Sequence, residues 1–178
     1  MGFRSQPLNR LSENEWAALL RQKVFFESRW RKKRLDSYEQ VKHGKEKLVF
    51  DKATGLTWQQ SGSLEALTYA QAQNYIRALN QERFAKYKGW RLPSLDEAMS
   101  LLEPFKYATG LYVDPRFDPT QKWIWTNDEA REGAAWAVTF RSGCCYVPVD
   151  ASYFVRAVRG GPWLPEEELE EELLVASL

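Results

Sequence analysis

Cys144 and Cys145 are the only thiols in the chain, and His43 is its only imidazole. Neighbouring cysteines close a strained ring when oxidised and make a poor staple. The pair therefore points to a reducing, cytoplasmic setting. One histidine cannot build a His-based metal site or a Ser-His-Asp arrangement, and His43 reads as a solvated linker residue. Calcium needs several converging oxygen ligands, and the sequence does not assemble them. It also has no Gly-rich phosphate loop. One further stretch carries chemistry-bearing types in close order: KGWRLPSLDEAMSLLEP, Lys88 to Pro104. An aromatic, a guanidinium and a proline precede a helix start there. A catalytic loop has such a composition, and so does the rigid corner of a scaffold. The scaffold reading is preferred because Pro93 biases Leu92 away from helix and Ser94 is placed to cap.

The elements around that corner follow from local signals. Ser12 to Glu15 is a capping box, Ser-x-x-Glu, and predicts a helix from about residue 13 to the basic run at 29–34. KHGKEK, Lys42 to Lys47, reads as a connector. LVF, then Asp51 to Gly55, then LTWQQ reads as strand, turn, strand, with Gly55 supplying the positive φ of the turn. Thr68 to Gln71 and Ser94 to Glu97 are two more capping boxes. The helix after the first carries Ala72, Tyr75, Ile76 and Leu79 on its apolar side; the helix after the second carries Met99, Leu101 and Leu102 and stops by Pro104. Residues 107–121 read as an ordered loop. WIWT, AAWAVTF, CCYVPV and YFVRAVR then form short alternating β segments. Helices first and short strands second make the class α+β.

The 178 residues suffice for one globular domain with a real core and added segments. Three parts are expected: an N-terminal arm and helix over 1–46, a main domain over 47–161 and an acidic tail over 162–178. Eight Trp exclude a disordered chain, and a net charge of +1 gives no argument for nucleic acid or a membrane surface. No apolar run approaches a bilayer span, and the N-terminus has no signal-peptide h-region. RWRKKR at 29–34 and EEELEEE at 166–172 read as solvated faces. The alternatives are a phosphate contact at the basic run, or attraction between the two ends.

FDKATGLTWQQSGS, GWRLPSLDEAMSLL, WIWTND, AWAVTF and YFVRAVRG, in this order, resemble the Lcl C-terminal-type domain family of the C-type-lectin-like superfamily, over about residues 47–160. The resemblance implies two helices packed on a small twisted antiparallel sheet, following the N-terminal helical extension. The first and last strands should lie close together, so that 47–50 or 56–60 pairs with 153–158. It makes Gly89 to Pro93 framework, with Trp90 in the core and Arg91 paired. Members of this superfamily also serve as variable proteins of diversity-generating retroelements, in which adenine-directed mutagenesis alters a C-terminal hypervariable region that forms the binding face. Mutagenised Asn-type codons do not yield Lys, Glu, Gln, Met or Trp, and Ala137 to Pro162 contains none of these. Strands disfavour Lys and Glu in any case.

On this reading the chain is a non-enzymatic ligand-binding protein that displays a face over about 137–156. The candidate ligand-binding residues are Thr139, Arg141, Ser142, Cys145, Tyr146, Pro148, Asp150, Ser152 and Tyr153, with Trp125 and Asn127 at the edge. Arg141, Ser142, Tyr146, Asp150, Ser152 and Tyr153 should be exposed together, above a sheet held by Val138, Phe140, Val147, Val149, Val155 and Val158. The partner is an unidentified protein or glycan. No catalytic residue, metal or cofactor is assigned, and oligomeric state is left open.

Two alternatives stand beside it. The superfamily is related to formylglycine-generating enzymes, thiol oxidoreductases that use copper and two cysteines a few residues apart; adjacent Cys144 and Cys145 depart from that spacing. A glycan-binding lectin-like module is the other. Trp125-Thr126-Asn127-Asp128 is similar to the Trp-Asn-Asp calcium motif but has an inserted Thr, and Phe105 follows Glu103-Pro104 where the sugar motif has Asn. The vicinal cysteines themselves fit either mutagenesis or a strand with one thiol facing each way.

Overall fold

The computed structural model describes residues 14–15, 37–131, 134–147 and 151–160. Asn14 and Glu15 are helical. The rest of the helix expected before the basic run, and the acidic tail, lie outside the described residues.

Among the described residues the domain has seven strands, two α-helices and a short 3-10 turn at Phe84–Lys86. The strands are β1 (Tyr38–His43), β2 (Glu46–Asp51), β3 (Leu56–Gln59), β4 (Trp123–Arg131), β5 (Ala134–Thr139), β6 (Cys144–Tyr146) and β7 (Val158–Arg159). The helices are α1 (Tyr69–Gln81) and α2 (Leu95–Ser100). The α+β class follows directly. Two antiparallel sheets are present, where one was expected: β1-β2-β3-β7 and β4-β5-β6. Within the first sheet β3 pairs with β7, Thr57 opposite Arg159 and Trp58 opposite Val158. The early and late parts of the domain are thus joined, as expected for 56–60. The late strand is shorter than 153–158, however, because Tyr153 and Phe154 make only isolated bridges to Leu67 and Ile124.

The segment 42–47 is not a connector. It closes a hairpin in which Val41 faces Leu48 and His43 faces Glu46, with Gly44 at a φ of +60° in the turn. Strand β1 therefore begins before residue 47, where the main domain was expected to start. His43 is also not solvated. It is buried, with its ring centroid 5.9 Å from that of Tyr87.

Both capping boxes at Thr68 and Ser94 form as read. Each Ser/Thr oxygen accepts from an N3 amide while the N3 side chain reaches back, satisfying two orphan donors of the first turn. The four-stranded sheet is covered on both sides. Val49 and Trp58 face a core with Leu95, Met99, Ile124, Trp136 and Phe140. Leu48 and Val41 face a second cluster with Leu79, Tyr87 and Trp90. Burial on both sides explains why every residue of β3 is buried and why its pattern does not alternate.

The corner read as scaffold is one. Trp90 is buried. Its backbone N–H donates to Asn80 Oδ1 at 2.9 Å, its carbonyl accepts from Asn80 Nδ2 at 2.7 Å, and its indole N–H donates to Phe84 O at 3.1 Å. Arg91 bridges the backbone of Val158 in both directions, and its guanidinium grips Glu97 at 2.6 and 2.7 Å. Asp128 of β4 accepts from the Leu95 amide at 2.7 Å, so a distant strand helps to cap α2.

Candidate functional site

The two faces of the second sheet differ. Along β5, Trp136 and Val138 enter the main core, whereas Ala135 and Ala137 face the other way with Trp125. Small alanines leave room above them, and aromatic rings occupy it. Tyr153 lies at the centre, with its centroid 5.0 Å from Trp125, 5.8 Å from Tyr146 and 6.5 Å from Trp123. The segment carrying it is held between Leu67, by two backbone bonds, and β4, through Phe154.

The expected face is brought together only in part. Arg141 and Ser142 are exposed in the β5–β6 turn, and Ser152 is exposed beside the half-buried Tyr153. Tyr146 is half-buried and packs edge-on against Tyr153. Asn127 is half-buried as well. Pro148, Val149 and Asp150 lie outside the described residues.

Trp125 and Thr139, expected to meet ligand, are both buried. The Trp125 indole donates to Leu67 O at 2.7 Å, which fixes the ring as a floor under Tyr69 and Tyr153. The Thr139 hydroxyl accepts from the Arg141 amide at 3.2 Å and so shapes the turn. Cys145 also departs from the face: it packs against the main core opposite Val138. Cys144, one residue earlier on the strand, lies 3.1 Å from the Ser142 hydroxyl. The two thiols thus take opposite sides of β6, with the one at 145 turned inward. Val138, Phe140, Val155 and Val158 are buried beneath the face, and Val147 is half-buried.

Burial sets the protonation of this region. It pushes the Cys145 thiol up to about 12, with Cys144 adding to the shift. It pushes the Tyr146 phenol up as well, with Tyr153 reinforcing it. At neutral pH the Tyr146 phenol and the Cys145 thiol therefore keep their protons. Tyrosines offer contact area at low entropy cost and serines adaptable hydrogen bonds.

A groove of about 290 Å³ opens beside the face. Tyr69, Gln73 and Ile76 of α1 form one wall, Arg91 and Leu92 the base, and Asn127 and Glu129 of β4 the other wall. The register of β4 against β5 shifts between Trp125 and Glu129. The Asn127 amide leaves the ladder there and donates instead to Pro93 O at 2.8 Å, which ties the groove wall to the corner. Of these residues sequence reasoning placed only Asn127 at the site. Tyr69, Gln73, Arg91 and Glu129 come from three segments far apart in the chain, and no local pattern joins them. Among the described residues no group of three His, Cys, Asp or Glu is placed to hold a metal ion. Among the same residues no helix is long and apolar enough to cross a membrane.

The Lcl C-terminal domain family model matches residues 47–159. The chain belongs to this family, whose domain is of the C-type-lectin-like type found in variable proteins of diversity-generating retroelements. No curated protein and no solved structure matches the chain.

Proposed function

We propose that the chain is a non-enzymatic, cytoplasmic ligand-binding protein and a variable protein of a diversity-generating retroelement. Its binding face centres on Arg141, Ser142, Cys144, Tyr146, Ser152 and Tyr153. Family membership supports the lectin-like binding module. The observation that carries the reading further is the division of labour within β5 and β6. Residues that hold the sheet, Val138, Phe140 and Cys145, point inward, while the side chains of the turn bond across two residues, Thr139 to Arg141 and Ser142 to Cys144, and Tyr146 on the outer side packs on Tyr153 of the face itself. A scaffold divided in this way tolerates change on one side. The raised pKa of Cys145 favours this reading over the thiol oxidoreductase, because thiol catalysis needs a thiolate at working pH. The ligand is a protein or glycan surface that meets tyrosines, hydroxyls and one arginine.

The test is a display library randomised at Arg141, Ser142, Cys144, Tyr146 and Ser152, selected against a panel of immobilised proteins and glycans. Most members should fold, and selections on different targets should return different sequences. A library in which most members do not fold would make these residues structural. The retroelement itself is tested at the locus: a reverse-transcriptase gene and a template repeat differing at adenines should lie beside the coding sequence, and their absence there overturns that part.

A further inference from the structure

From the groove between α1 and β4 we infer a second subsite, one that takes a basic side chain, lysine or arginine, of a protein ligand. The inference rests on the ligand-binding reading above but uses residues outside the face. Four observations converge on it.

First, the charge balance is negative. Arg91 lies in the groove, but both oxygens of Glu97 hold its guanidinium, at 2.6 and 2.7 Å. That pair is neutral as a unit. The charge left over is Glu129, whose carboxylate has no ion pair among the described residues. Tyr69 senses the same field: its phenol is pushed up by burial first and then by Glu129.

Second, an acceptor waits there. Asn127 Oδ1 is buried and has no hydrogen-bond partner among the described residues. A buried carbonyl oxygen without a donor is costly, and a rotation of the Asn127 side chain that turned Oδ1 to the groove would let a ligand N–H relieve that cost.

Third, the walls suit a cation on an aliphatic stem. Tyr69 supplies an aromatic ring, backed by Trp125 at 5.5 Å, and Ile76 and Leu92 supply apolar surface for methylenes. Fourth, the volume is about 290 Å³. Small-molecule sites run from roughly 300 to 1,000 Å³, so the groove matches one side chain rather than a large cofactor.

None of the lining residues falls in the stretch from Ala137 to Pro162. The subsite would stay the same from copy to copy while the face changed. Ligands would then share a basic anchor and be told apart by what surrounds it.

The experiment is a ¹H–¹⁵N NMR titration of the full chain with three peptides: acetyl-Gly-Lys-Gly-amide, the same peptide with its lysine acetylated, and acetyl-Gly-Glu-Gly-amide. The lysine peptide should shift the amides of Gln73, Asn127 and Glu129 saturably, and the other two should not. Glu129→Gln should weaken the lysine peptide about tenfold, as loss of one charged contact would. Gln73→Lys, which puts a cation into the groove from an exposed helix position, should abolish binding. Lys52→Ala, at an exposed position of the β2–β3 turn outside both sites, should leave the titration unchanged. Absence of a saturable shift, equal binding of the acetylated peptide, or preference for the glutamate peptide through Arg91 would each overturn the inference. A face library that failed to fold would leave this titration as it is, and an inert groove would leave the face selection standing.

Discussion

In the corner from Trp90 to Glu97, polar groups are satisfied by partners far away in the chain. Asn80 clasps the Trp90 backbone from α1, Val158 bridges Arg91, and Asp128 caps Leu95 from thirty-three residues on. In the β5–β6 turn the side-chain bonds run from Thr139 to Arg141 and from Ser142 to Cys144, each spanning two residues. A bond between distant segments holds the topology, and its loss spreads. A bond across two residues shapes one turn, and its loss stays there. The same small domain thus contains a region in which each residue is committed to several others and a region in which it is not.

The sharpest way to break this comparison is Trp90→Ala. It should destabilise by about 3–5 kcal/mol through the cavity it leaves, measured by denaturant unfolding; a variant that melted like the parent would remove the corner from the framework. Next comes Arg91→Ala. Glu97 is 1% exposed and would be left buried without its ion-pair partner. Breaking a buried pair costs about 3–5 kcal/mol, and the partial exposure of Arg91 lowers the expectation to about 2–3 kcal/mol in the same assay.

Gly143→Ala tests the turn from inside. The glycine has a φ of +72°, and an added Cβ would sit 3.2 Å from the Tyr112 ring. A left-handed backbone costs a side-chain-bearing residue about 1–2 kcal/mol, so the Tm should fall by a modest step that Gly143→Asn partly restores. Cys145 tests the boundary between the two regions. Its folded pKa of about 12 lies above the ordinary thiol value of 9.0, so the folded state keeps the proton that the unfolded state gives up. The stabilisation is complete below pH 9 and is lost as the pH rises towards 12. At pH 10 the loss should be about 1 kcal/mol, read as the difference in alkaline unfolding between the parent and Cys145→Ala. If the two unfold in parallel, Cys145 does not belong to the core. The smallest effects should come from the face itself. Arg141→Ala, Ser142→Ala and Ser152→Ala should each stay within about 0.5 kcal/mol in thermal melts, and a larger loss from any of them would blur the comparison at that residue.

What could be read from the sequence follows the same division. Capping boxes are contained within four residues, so Thr68 and Ser94 announced their helices and the structure forms both. The Asp51–Gly55 turn was legible for the same reason. Strand β1 was not, because Lys42, Lys45 and Lys47 made its end look like solvent-exposed connector; Gly44 between Val41 and Leu48 was the signal available. Trp125 was expected beside Asn127 at the edge of the face, but it is buried. Tyr153 and α1 cover that side, and neither is near it in sequence. The groove was out of reach altogether, since its walls meet only after the chain has folded.

Tyr38, where β1 begins, is opposite Asp51, which is opposite Leu56, and Thr57 is opposite Arg159, where β7 ends. The described domain is therefore entered and left at the same end of one sheet, at its two edges, about 14 Å apart for three strand spacings. Tension applied through those two points would not shear the strands along their length. It would peel β1 from its edge one backbone pair at a time, whereas β7 is clasped on its other side by Arg91 through Val158. The entry strand would thus yield before the exit strand, and a single anchorage on that side would hold the domain like a bead on a short loop, with the opposite end turned away from the point of attachment.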